Sequence, residues 1–394
     1  MKLLFMTSDK YPVFRPAAKF IFGRELPGRG VKIDWLIQSD GDEDAPKRVH
    51  LDNGTIYLAS SNRRESKIAK VFKHFLDIVN DLRVFQLAFA NRYDVIQVKD
   101  KYLGAILGAL AAFFTKSKFA YWIAYPHAEE SLYTAREGFA KFKYFSYIRG
   151  YVYAFCLYKI VCPMADTVFV QSEQMKEDMA QRGVDRDKMV PVPGSVDIVE
   201  IQAFLNGKQP TVNHNQILYV GTLMRLRHLE MLVEALALVR ETVPDATLHF
   251  LGKGEHPADE ELLKGAADRL GLTDSVVFLG NQPYEFVIKY VAASAVCLSP
   301  YYPSFVLNST SPTKLLEYMA VGRPIVGNVH PEQKQVIADS DCGECVEWSA
   351  EAFAAAIVKL LQDTQTAEQR GAKGKAYIEE NRTHKILSER VLNT

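Results

Sequence analysis

Short apolar runs alternate with longer helical patterns along the whole chain, and this rhythm restricts the fold more than any other feature. The apolar runs, such as Lys2–Ser8 and Lys118–Tyr125, are mostly continuous rather than alternating. Continuous runs are typical of strands that are buried on both faces of a parallel sheet. Because the segments between them have helical periodicity, the pattern predicts an α/β fold with doubly wound sheets.

The alternation of apolar runs and helical patterns is interrupted once and then resumes. Segments Pro191–Asp197 and Asn206–Asn215 are rich in Pro, Gly, Asn and Gln, which is typical of a linker. A chain of 394 residues is also long enough for two or three domains. We therefore predict two tandem Rossmann-like domains, over residues 1–196 and 197–378, facing each other across a cleft that holds the ligand.

Composition excludes several classes of protein. Lys+Arg and Asp+Glu both number 47, whereas a dedicated nucleic-acid-binding protein is usually basic. Five cysteines in so long a chain are no disulfide framework, which favours a reducing compartment. The charge is nevertheless uneven, because residues 1–160 carry 25 Lys+Arg and 16 Asp+Glu. The first domain is therefore expected to attract anions.

The apolar segments are too short for a signal peptide or a membrane-spanning helix. The N-terminal apolar run, Leu3–Met6, has four residues, and Asp9 and Lys10 follow shortly after it. The longest later runs, Gly104–Phe114 and Tyr151–Ile160, fall well below the ~18–20 residues that spanning requires. We expect a cytoplasmic protein that is soluble or lies on a membrane surface.

Two helical segments combine apolar and basic residues. Arg63–Phe89 predicts an amphipathic helix, and Phe139–Ile160 contains nine aromatic residues. The basic residues that accompany them are Lys67, Lys70, His74, Lys141, Lys143, Arg149 and Lys159. Such mixtures suit an anionic lipid headgroup region. The alternative is that both helices pack on the sheet and their lysines are solvated.

The strongest motif is SPTKLLEYMAVGRPIVG, Ser311–Gly327, which predicts a turn, a helix and a buried strand. Ser311 suits a helix N-cap and Pro312 suits the first turn. The backbone N–H groups that begin this helix form an anion site suited to a diphosphate. They belong to Thr313, Lys314 and Leu315. The alternative is an ordinary capped helix.

The motif resembles the donor-site signature of the retaining GT-B glycosyltransferases, the family-4-like group that includes sucrose synthases and bacterial polysaccharide and glycolipid enzymes. Segments Ala165–Asp197, Gln216–Leu236 and Leu248–Tyr301 resemble further blocks of the same family. The resemblance covers about residues 160–380, and the first 160 residues resemble the family only in topology. It also implies that a C-terminal helix, at about 379–394, packs back on the first domain.

The resemblance implies roles for individual residues of the second domain. Gly221 and Thr222 would form the turn that faces the donor diphosphate, and Glu317 would hold the ribose. The other implied donor contacts are Arg225 and Arg227 at the diphosphate, Gly252 and Gly254 in close backbone approach, and Gln282 at the base. The family usually has a second glutamate that touches the sugar, and here Ser309 stands in its place. The donor sugar is therefore left open.

In the first domain the resemblance points to the acceptor. His127, in YPHAEESLY, matches a histidine near the acceptor and the reacting carbon, although a structural histidine is an equal alternative. Either Glu129 or Glu130 is a candidate to orient the acceptor. The family's Gly-Gly pair is absent from the first loop, where Arg15 and Lys19 are candidates instead.

The implied reaction is retaining transfer of a sugar from a UDP- or GDP-linked donor to a hydroxyl acceptor, with no metal and no further cofactor. A lipid-linked acceptor and an anionic membrane surface are candidate partners, in bacterial polysaccharide or glycolipid synthesis. One alternative is a non-catalytic subunit of the same fold. Another is a sugar-nucleotide epimerase or hydrolase, in which Glu129 or Glu130 would activate water.

Two further motifs resemble metal-binding patterns, but we assign neither a metal-binding role. Asp40–Asp44 contains the Asp-x-Asp pattern of metal–nucleotide sites, but it lies far in sequence from any nucleotide-binding segment. We interpret it as a solvated acidic loop. Cys342 and Cys345 have no second Cys/His pair at zinc-ligand spacing, so we predict a structural role.

Overall fold

A computed structural model of the chain divides into two compact units. Unit 1 comprises Met1–Pro193 and His384–Thr394, and unit 2 comprises Gly194–Thr383. The structure describes residues 1–13, 15–39, 48–59, 67–207 and 210–394, with the backbone alone at 39 and 67–76. The predicted acidic loop Asp40–Asp44 and the side chains of Lys67, Lys70 and His74 lie outside this description.

Unit 1 is built on an eight-stranded sheet whose strands run in the order β3-β4-β2-β1-β5-β6-β7-β8. The strands are β1 (Lys2–Tyr11), β2 (Lys32–Ser39), β3 (Arg48–Leu51), β4 (Gly54–Leu58), β5 (Val95–Lys99), β6 (Lys118–Ile123), β7 (Thr167–Val170) and β8 (Met189–Pro191). All neighbours are parallel except the β3–β4 pair. Leu4 and Met6 enter the core on one face of the sheet, and Leu3 and Phe5 enter the core on the other. Burial on both faces explains the continuous apolar runs.

Helices cover both faces of this sheet. They are α1 (Leu26–Gly28), α2 (Lys67–Asn91), α3 (Tyr102–Thr115), α4 (His127–Arg136), α5 (Lys143–Phe155), α6 (Cys162–Met164) and α7 (Glu173–Ala180), with π-helical segments at Ala17–Glu25 and Cys156–Val161. The C-terminal helix, His384–Leu392, also belongs to unit 1. Its Leu387 is buried in the core with Phe22, and its His384 ring stacks 4.8 Å from Phe20.

Unit 2 repeats the pattern on a six-stranded parallel sheet of order β11-β10-β9-β12-β13-β14. Its strands are β9 (Asn213–Val220), β10 (Thr247–Leu251), β11 (Val276–Gly280), β12 (Ser294–Ser299), β13 (Ile325–Asn328) and β14 (Gly343–Val346). Its helices are α8 (Ile198–Leu205), α9 (Glu230–Thr242), α10 (Pro257–Arg269), α11 (Tyr284–Ala292), α12 (Phe305–Asn308), α13 (Thr313–Val321), α14 (Pro331–Ser340), α15 (Ala350–Gln362) and α16 (Thr364–Asn381). The predicted fold class is confirmed.

One predicted helix is wrong. The sequence pattern indicates one helical segment over Glu129–Ile160, which includes the aromatic stretch Phe139–Ile160, but the chain turns between α4 and α5. Gly138 adopts a left-handed conformation there, with φ of 75°. The N–H groups of Phe139 and Ala140 both donate to the Thr134 carbonyl. The turn lets α5 pack closely on α4, since a Cβ at Gly150 would lie 2.6 Å from the Leu132 side chain.

No helix among the described residues combines the length and the apolar character needed to cross a bilayer.

Two helical glycines of unit 2 should respond oppositely to alanine. A Cβ at Gly371 in α16 would lie 2.1 Å from the Gly322 carbonyl oxygen. A Cβ at Gly265 in α10 makes only an ordinary 3.6 Å contact with Arg269. We expect Gly371→Ala to lower the free energy of unfolding by roughly 1–3 kcal/mol, and Gly265→Ala to raise it by up to about 1 kcal/mol. Urea denaturation of both variants tests this, and equal shifts would contradict it.

Candidate functional site

Two glycine loops meet at the carboxyl ends of β9 and β10. Gly221 and Gly252 have φ of 140° and 145°. The Gly221 N–H donates to Leu251 O at 2.9 Å, and the Gly252 N–H donates to Gly280 O at 3.0 Å. A Cβ at Gly252 would lie 2.0 Å from the Gly221 carbonyl oxygen. The close backbone approach that needs glycine is therefore the approach of one loop to the other.

The other predicted glycine packs on a helix. A Cβ at Gly254 would lie 2.7 Å from Asp259 Cβ and 2.8 Å from His256 O. Asp259 and His256 form the capping box that begins α10. Gly254 thus lets the loop after β10 lie against the first turn of that helix.

Arg225 and Arg227 lie on a short 3₁₀ turn after the Gly221 loop. Arg225 is exposed, and Arg227 is partly buried with its guanidinium 5.8 Å from the centre of the Tyr301 ring. Burial raises the pKa of Tyr301 to about 12 against the opposing charge of Arg227. The same guanidinium also opposes a burial-driven rise in the pKa of Tyr219. Arg227 is therefore held among tyrosines rather than in solvent.

Lys314 is the buried cation of this site. Lys314 is only 7% exposed, and its Nζ donates to the Tyr219 hydroxyl at 3.1 Å. The ammonium lies 4.2 Å from the centre of the Tyr219 ring and 5.2 Å from that of Tyr301. Burial, and then the nearby charge of Arg227, hold the pKa of Lys314 well below its ordinary value. Two cations so close together favour an anionic ligand.

Helix α13 begins one residue later than the sequence predicts. Pro312 is its N-cap, without a side-chain capping bond, and Thr313 is its exposed first residue. The predicted cap, Ser311, is wrong, because its hydroxyl donates to Glu332 Oε1 and accepts from the Gly194 N–H, both at 2.8 Å. The helix start still presents backbone N–H groups and a positive dipole end. Leu315 contributes its N–H there while its side chain is fully buried.

Glu317 lies one turn into α13 beside Lys314. The Tyr284 hydroxyl, at the start of α11, donates to its carboxylate. Burial raises the pKa of Glu317 to about 7, although the Tyr284 bond and Lys314 oppose the rise. A carboxyl group with that pKa is partly protonated at neutral pH, so it can both donate to and accept from hydroxyl groups.

The remaining predicted site residues of unit 2 form hydrogen bonds to residues near them in sequence. Thr222 O accepts from the Tyr219 hydroxyl at 3.1 Å, and Gln282 is exposed with its amide donating to Leu279 O at 2.8 Å. Ser309 is buried, and its hydroxyl donates to Phe305 O at 3.0 Å. The predicted base and sugar contacts of Gln282 and Ser309 stay predictions.

Unit 1 contains a second candidate site, an open cavity of about 870 Å³ at the carboxyl end of β5. His127, the first residue of α4, lies at the cavity with its Nδ1 3.9 Å from Glu130 Oε2. Asp100 lies there too, in a left-handed conformation with φ of 55°, and its Oδ1 accepts from the Ala124 N–H at 2.9 Å. Burial raises the pKa of Asp100, and Lys99 opposes the rise.

The two glutamates after His127 have different environments. Glu130 lines the cavity and accepts from the Tyr125 hydroxyl at 3.0 Å. Glu129 instead is buried, and it accepts from Arg182 at 2.8 Å and from the Tyr158 hydroxyl at 2.6 Å. Of the two candidates to orient an acceptor or activate water, Glu130 is therefore the one that has access to the cavity.

The two other basic candidates of unit 1 also have partners. Arg15 Nε lies 3.0 Å from Asp9 Oδ1, and Lys19 lies 4.4 Å from the centre of the Phe20 ring. Asp9 in turn binds Lys99 at 3.2 Å. Neither basic candidate is among the residues that line the cavity.

Tyr219 and Tyr301 lie against Lys314 and Arg227, and Tyr284 contacts Glu317, although no sequence motif points to these three residues. Tyr219 lies near the end of β9, and Tyr301 follows β12 by two residues. Position at the carboxyl end of a parallel strand is the signal that identifies such residues. Among the described residues, no group of three or more His, Cys, Asp or Glu side chains is arranged to bind a metal ion.

Comparison with known proteins gives consistent matches to both units. The family model described as Glycosyltransferase Family 4 matches residues 21–200, and the model described as Glycosyl transferases group 1 matches residues 214–363. The D-inositol 3-phosphate glycosyltransferase of Corynebacterium urealyticum is 28% identical over 222 residues, covering 50% of this chain and 49% of that protein.

A second relative is the GDP-mannose-dependent alpha-(1-6)-phosphatidylinositol monomannoside mannosyltransferase of Mycolicibacterium smegmatis, 26% identical over 202 residues and 50% of each chain. The matched region thus spans about half the length of these curated relatives. The structure of Anabaena HepE in complex with UDP superimposes with a TM-score of 0.66 at 15% identity, covering 100% of this chain and 99% of that one. That likeness shows the fold.

The elevated pKa of Glu317 gives a pH prediction. The ordinary pKa of glutamate is 4.5, and in the folded protein that of Glu317 is about 7. Between these two pH values, Glu317 keeps a proton in the folded protein that it releases in the unfolded chain. The stability that this proton contributes is fully present below pH 4.5 and is lost as pH rises through 7. Relative to Glu317→Gln, the wild type should lose roughly 1–3 kcal/mol of unfolding free energy from pH 5 to pH 8. Urea denaturation at several pH values measures the difference.

The matched control is Tyr284→Phe, which removes only the hydroxyl that stabilises the carboxylate. In this variant the pH-dependent loss should move to higher pH. Parallel pH profiles for the wild type and Glu317→Gln would show that Glu317 has an ordinary pKa.

Proposed function

The chain belongs to the family-4-like glycosyltransferases of the GT-B fold, and from this membership we propose that it transfers a sugar from a nucleoside diphosphate sugar to a hydroxyl acceptor. The observation that carries the proposal is the buried Lys314 ammonium beside Arg227, at the N-terminus of α13. Buried like charges are unfavourable until an anion compensates them. A diphosphate is an anion of the right charge, and its arrival would restore the pKa of Lys314.

The donor is proposed to bind along the carboxyl edge of the unit 2 sheet. Arg225, Arg227, Lys314 and the N–H groups of Thr313 and Leu315 bind the diphosphate, with the Gly221–Thr222 turn facing it. Glu317 binds the ribose hydroxyls, and Gln282 binds the base. The Gly252 and Gly254 loop supports this edge, and Ser309 lies near the sugar.

Departure of the diphosphate is the step that this arrangement assists. The bond between the sugar and the diphosphate breaks through an oxocarbenium-like state, and preorganised cations stabilise the leaving charge. We propose retention of configuration, with the acceptor hydroxyl attacking on the leaving-group face and giving its proton to a phosphate oxygen. Lys314 and Arg227 perform the task that a metal ion performs elsewhere, so the reaction is proposed to be metal-independent. His127 is proposed to contact the acceptor and the reacting carbon.

The identity of donor and acceptor is proposed only by class. One relative is named for GDP-mannose, and a structural neighbour was solved with UDP. We therefore propose a UDP- or GDP-linked donor and a role in bacterial polysaccharide or glycolipid synthesis at the cytoplasmic side of the membrane. A non-catalytic subunit of the same fold would bind the nucleotide without turnover.

Substitutions at the donor site test the proposal. Lys314→Met, Arg227→Ala and Glu317→Ala should each lower transfer by at least about a hundredfold, since each removes one contact to the leaving group or ribose. A panel of UDP- and GDP-sugars, chosen by thermal stabilisation, supplies the donor. The assay measures the released UDP or GDP, and NMR of the product reports the anomeric configuration.

Lys264→Met is the matched control, because Lys264 is an exposed lysine on α10 paired with Glu261. It should transfer at the wild-type rate, and EDTA should leave every rate unchanged. Wild-type rates in the three site variants would overturn the donor site. Loss of activity in EDTA that Mg²⁺ or Mn²⁺ restores would overturn metal-independence.

We also propose that unit 1 binds an anionic membrane surface through α5. Its outward face carries apolar side chains between 61% and 81% exposed: Tyr144, Phe145, Ile148, Tyr151 and Phe155. Between residues 138 and 165 every charged residue is basic, and Lys141, Lys143, Arg149 and Lys159 are exposed. An apolar face with an exclusively basic margin complements anionic lipid, and each basic residue adds about 1 kcal/mol of attraction.

Liposome co-sedimentation tests the membrane proposal. Binding should require anionic lipid and weaken as salt rises, because the attraction is partly electrostatic. The double substitution Lys141→Glu and Lys143→Glu should release the protein. Lys264→Glu with Lys334→Glu, two exposed lysines of unit 2, changes the net charge equally and should leave binding intact. Wild-type protein that stays in the supernatant at low salt would contradict the proposal.

A further inference from the structure

The unit 1 cavity contains an unsatisfied carboxylate oxygen. Asp100 lies at the end of β5, and its side chain is only 5% exposed. Its Oδ1 is bonded to Ala124, but no described residue makes a hydrogen bond to its Oδ2. Lys99 Nζ pairs with that oxygen at 3.9 Å, a distance longer than a hydrogen bond. A buried hydrogen-bond acceptor without a partner in the chain is expected to bind a hydrogen-bond donor from a ligand.

Among the described residues that line the cavity, carboxylates outnumber cations. Its described lining carries four carboxylates, on Asp77, Asp81, Asp100 and Glu130, against the cations of Lys101 and Arg149 and the imidazole of His127. Lys101 is paired with Asp81. Arg149 Nε donates to the Ser131 hydroxyl at 3.1 Å. A phosphate group in this cavity would meet an excess of like charge, whereas sugar hydroxyls would donate to the carboxylates.

The cavity also adjoins apolar surface. Ile78 on α2 and Leu103 on α3 line it, and both are substantially exposed. Arg149 and Tyr153 bring α5 to its wall, and that helix carries the exposed face of Ile148 and Tyr151. A polar cavity with an apolar margin suits a ligand that joins a sugar to a lipid chain.

We propose that this cavity binds the acceptor as the uncharged, polyhydroxylated sugar of a glycolipid, and that Asp100 Oδ2 accepts a hydrogen bond from one of its hydroxyls. The inference rests on the proposed transferase function and narrows its acceptor from any hydroxyl compound to a neutral sugar headgroup. The excess of carboxylates in the described lining disfavours acceptors that carry phosphate on that sugar.

Binding measurements with short-chain probes test this without donor turnover. Octyl glucoside, octyl galactoside and octyl mannoside, below their micellar concentrations, are compared with their 6-phosphates by saturation-transfer NMR titration. At least one neutral glycoside should bind at least tenfold more tightly than its 6-phosphate. Asp100→Asn keeps a side chain that tolerates the left-handed backbone, and it should weaken the neutral probe at least tenfold. Asp187→Asn, an exposed aspartate of unit 1, is the matched control and should bind like the wild type.

Tighter binding of the phosphorylated probes would overturn the inference. So would neutral binding that is equal in the wild type and Asp100→Asn, or no binding of any probe. The wild-type selectivity needs no variant, so misfolding of Asp100→Asn would not rescue a failed result. Donor turnover is measured separately: its absence would defeat the proposed transferase, whereas normal turnover with a preference for phosphorylated acceptors would defeat only this inference.

Discussion

Apart from the β3–β4 pair, both sheets are parallel, and their central strands are buried on both faces. This burial governs where chemistry can occur. A strand buried on both faces has few positions from which a polar side chain can reach a ligand. Residues of the candidate sites therefore gather in the loops after the strands, as Gly221, Gly252 and Tyr301 do in unit 2 and as Asp100 does in unit 1. In both units the edge that remains available for ligands is the one at the carboxyl ends of the strands.

The two edges differ in electrostatic character. In unit 2 the cations of Lys314 and Arg227 lie against tyrosine rings, which are uncharged, so positive charge predominates there. In unit 1 the cavity around Asp100 and Glu130 holds more carboxylates than cations. This is opposite to the overall charges of the two halves of the sequence. Bulk charge therefore describes the surface of each unit, whereas the site depends on a few partly buried groups.

Sequence periodicity predicted the strand-helix order because burial on both faces leaves a strong pattern. It missed the short strands β3 and β8, where too few side chains exist for a pattern. Ser311 was predicted as a cap by local rules, but Glu332 and Gly194 compete for its hydroxyl from distant positions. The resemblance to the family is confirmed by the family models, whereas the roles of individual site residues stay predictions.

Glu129 shows the same limit of local reasoning. Adjacent helical residues point about 100° apart, so only the helix phase decides which of Glu129 and Glu130 faces the cavity. That phase is fixed by Arg182, 53 residues away, which the sequence pattern does not connect to α4. Tyr219 and Tyr301 were missed for a related reason, because an aromatic residue beside a buried strand looks like ordinary core.

The C-terminal helix makes unit 1 discontinuous in the chain, with consequences for synthesis. Unit 2 is inserted between Pro193 and His384, and its two ends lie side by side, since Val196 pairs with Thr383. The ribosome must therefore complete all of unit 2 before Leu387 can enter the core of unit 1. Unit 2 can close as soon as its own residues emerge, so the unit that starts the chain is the last to finish folding.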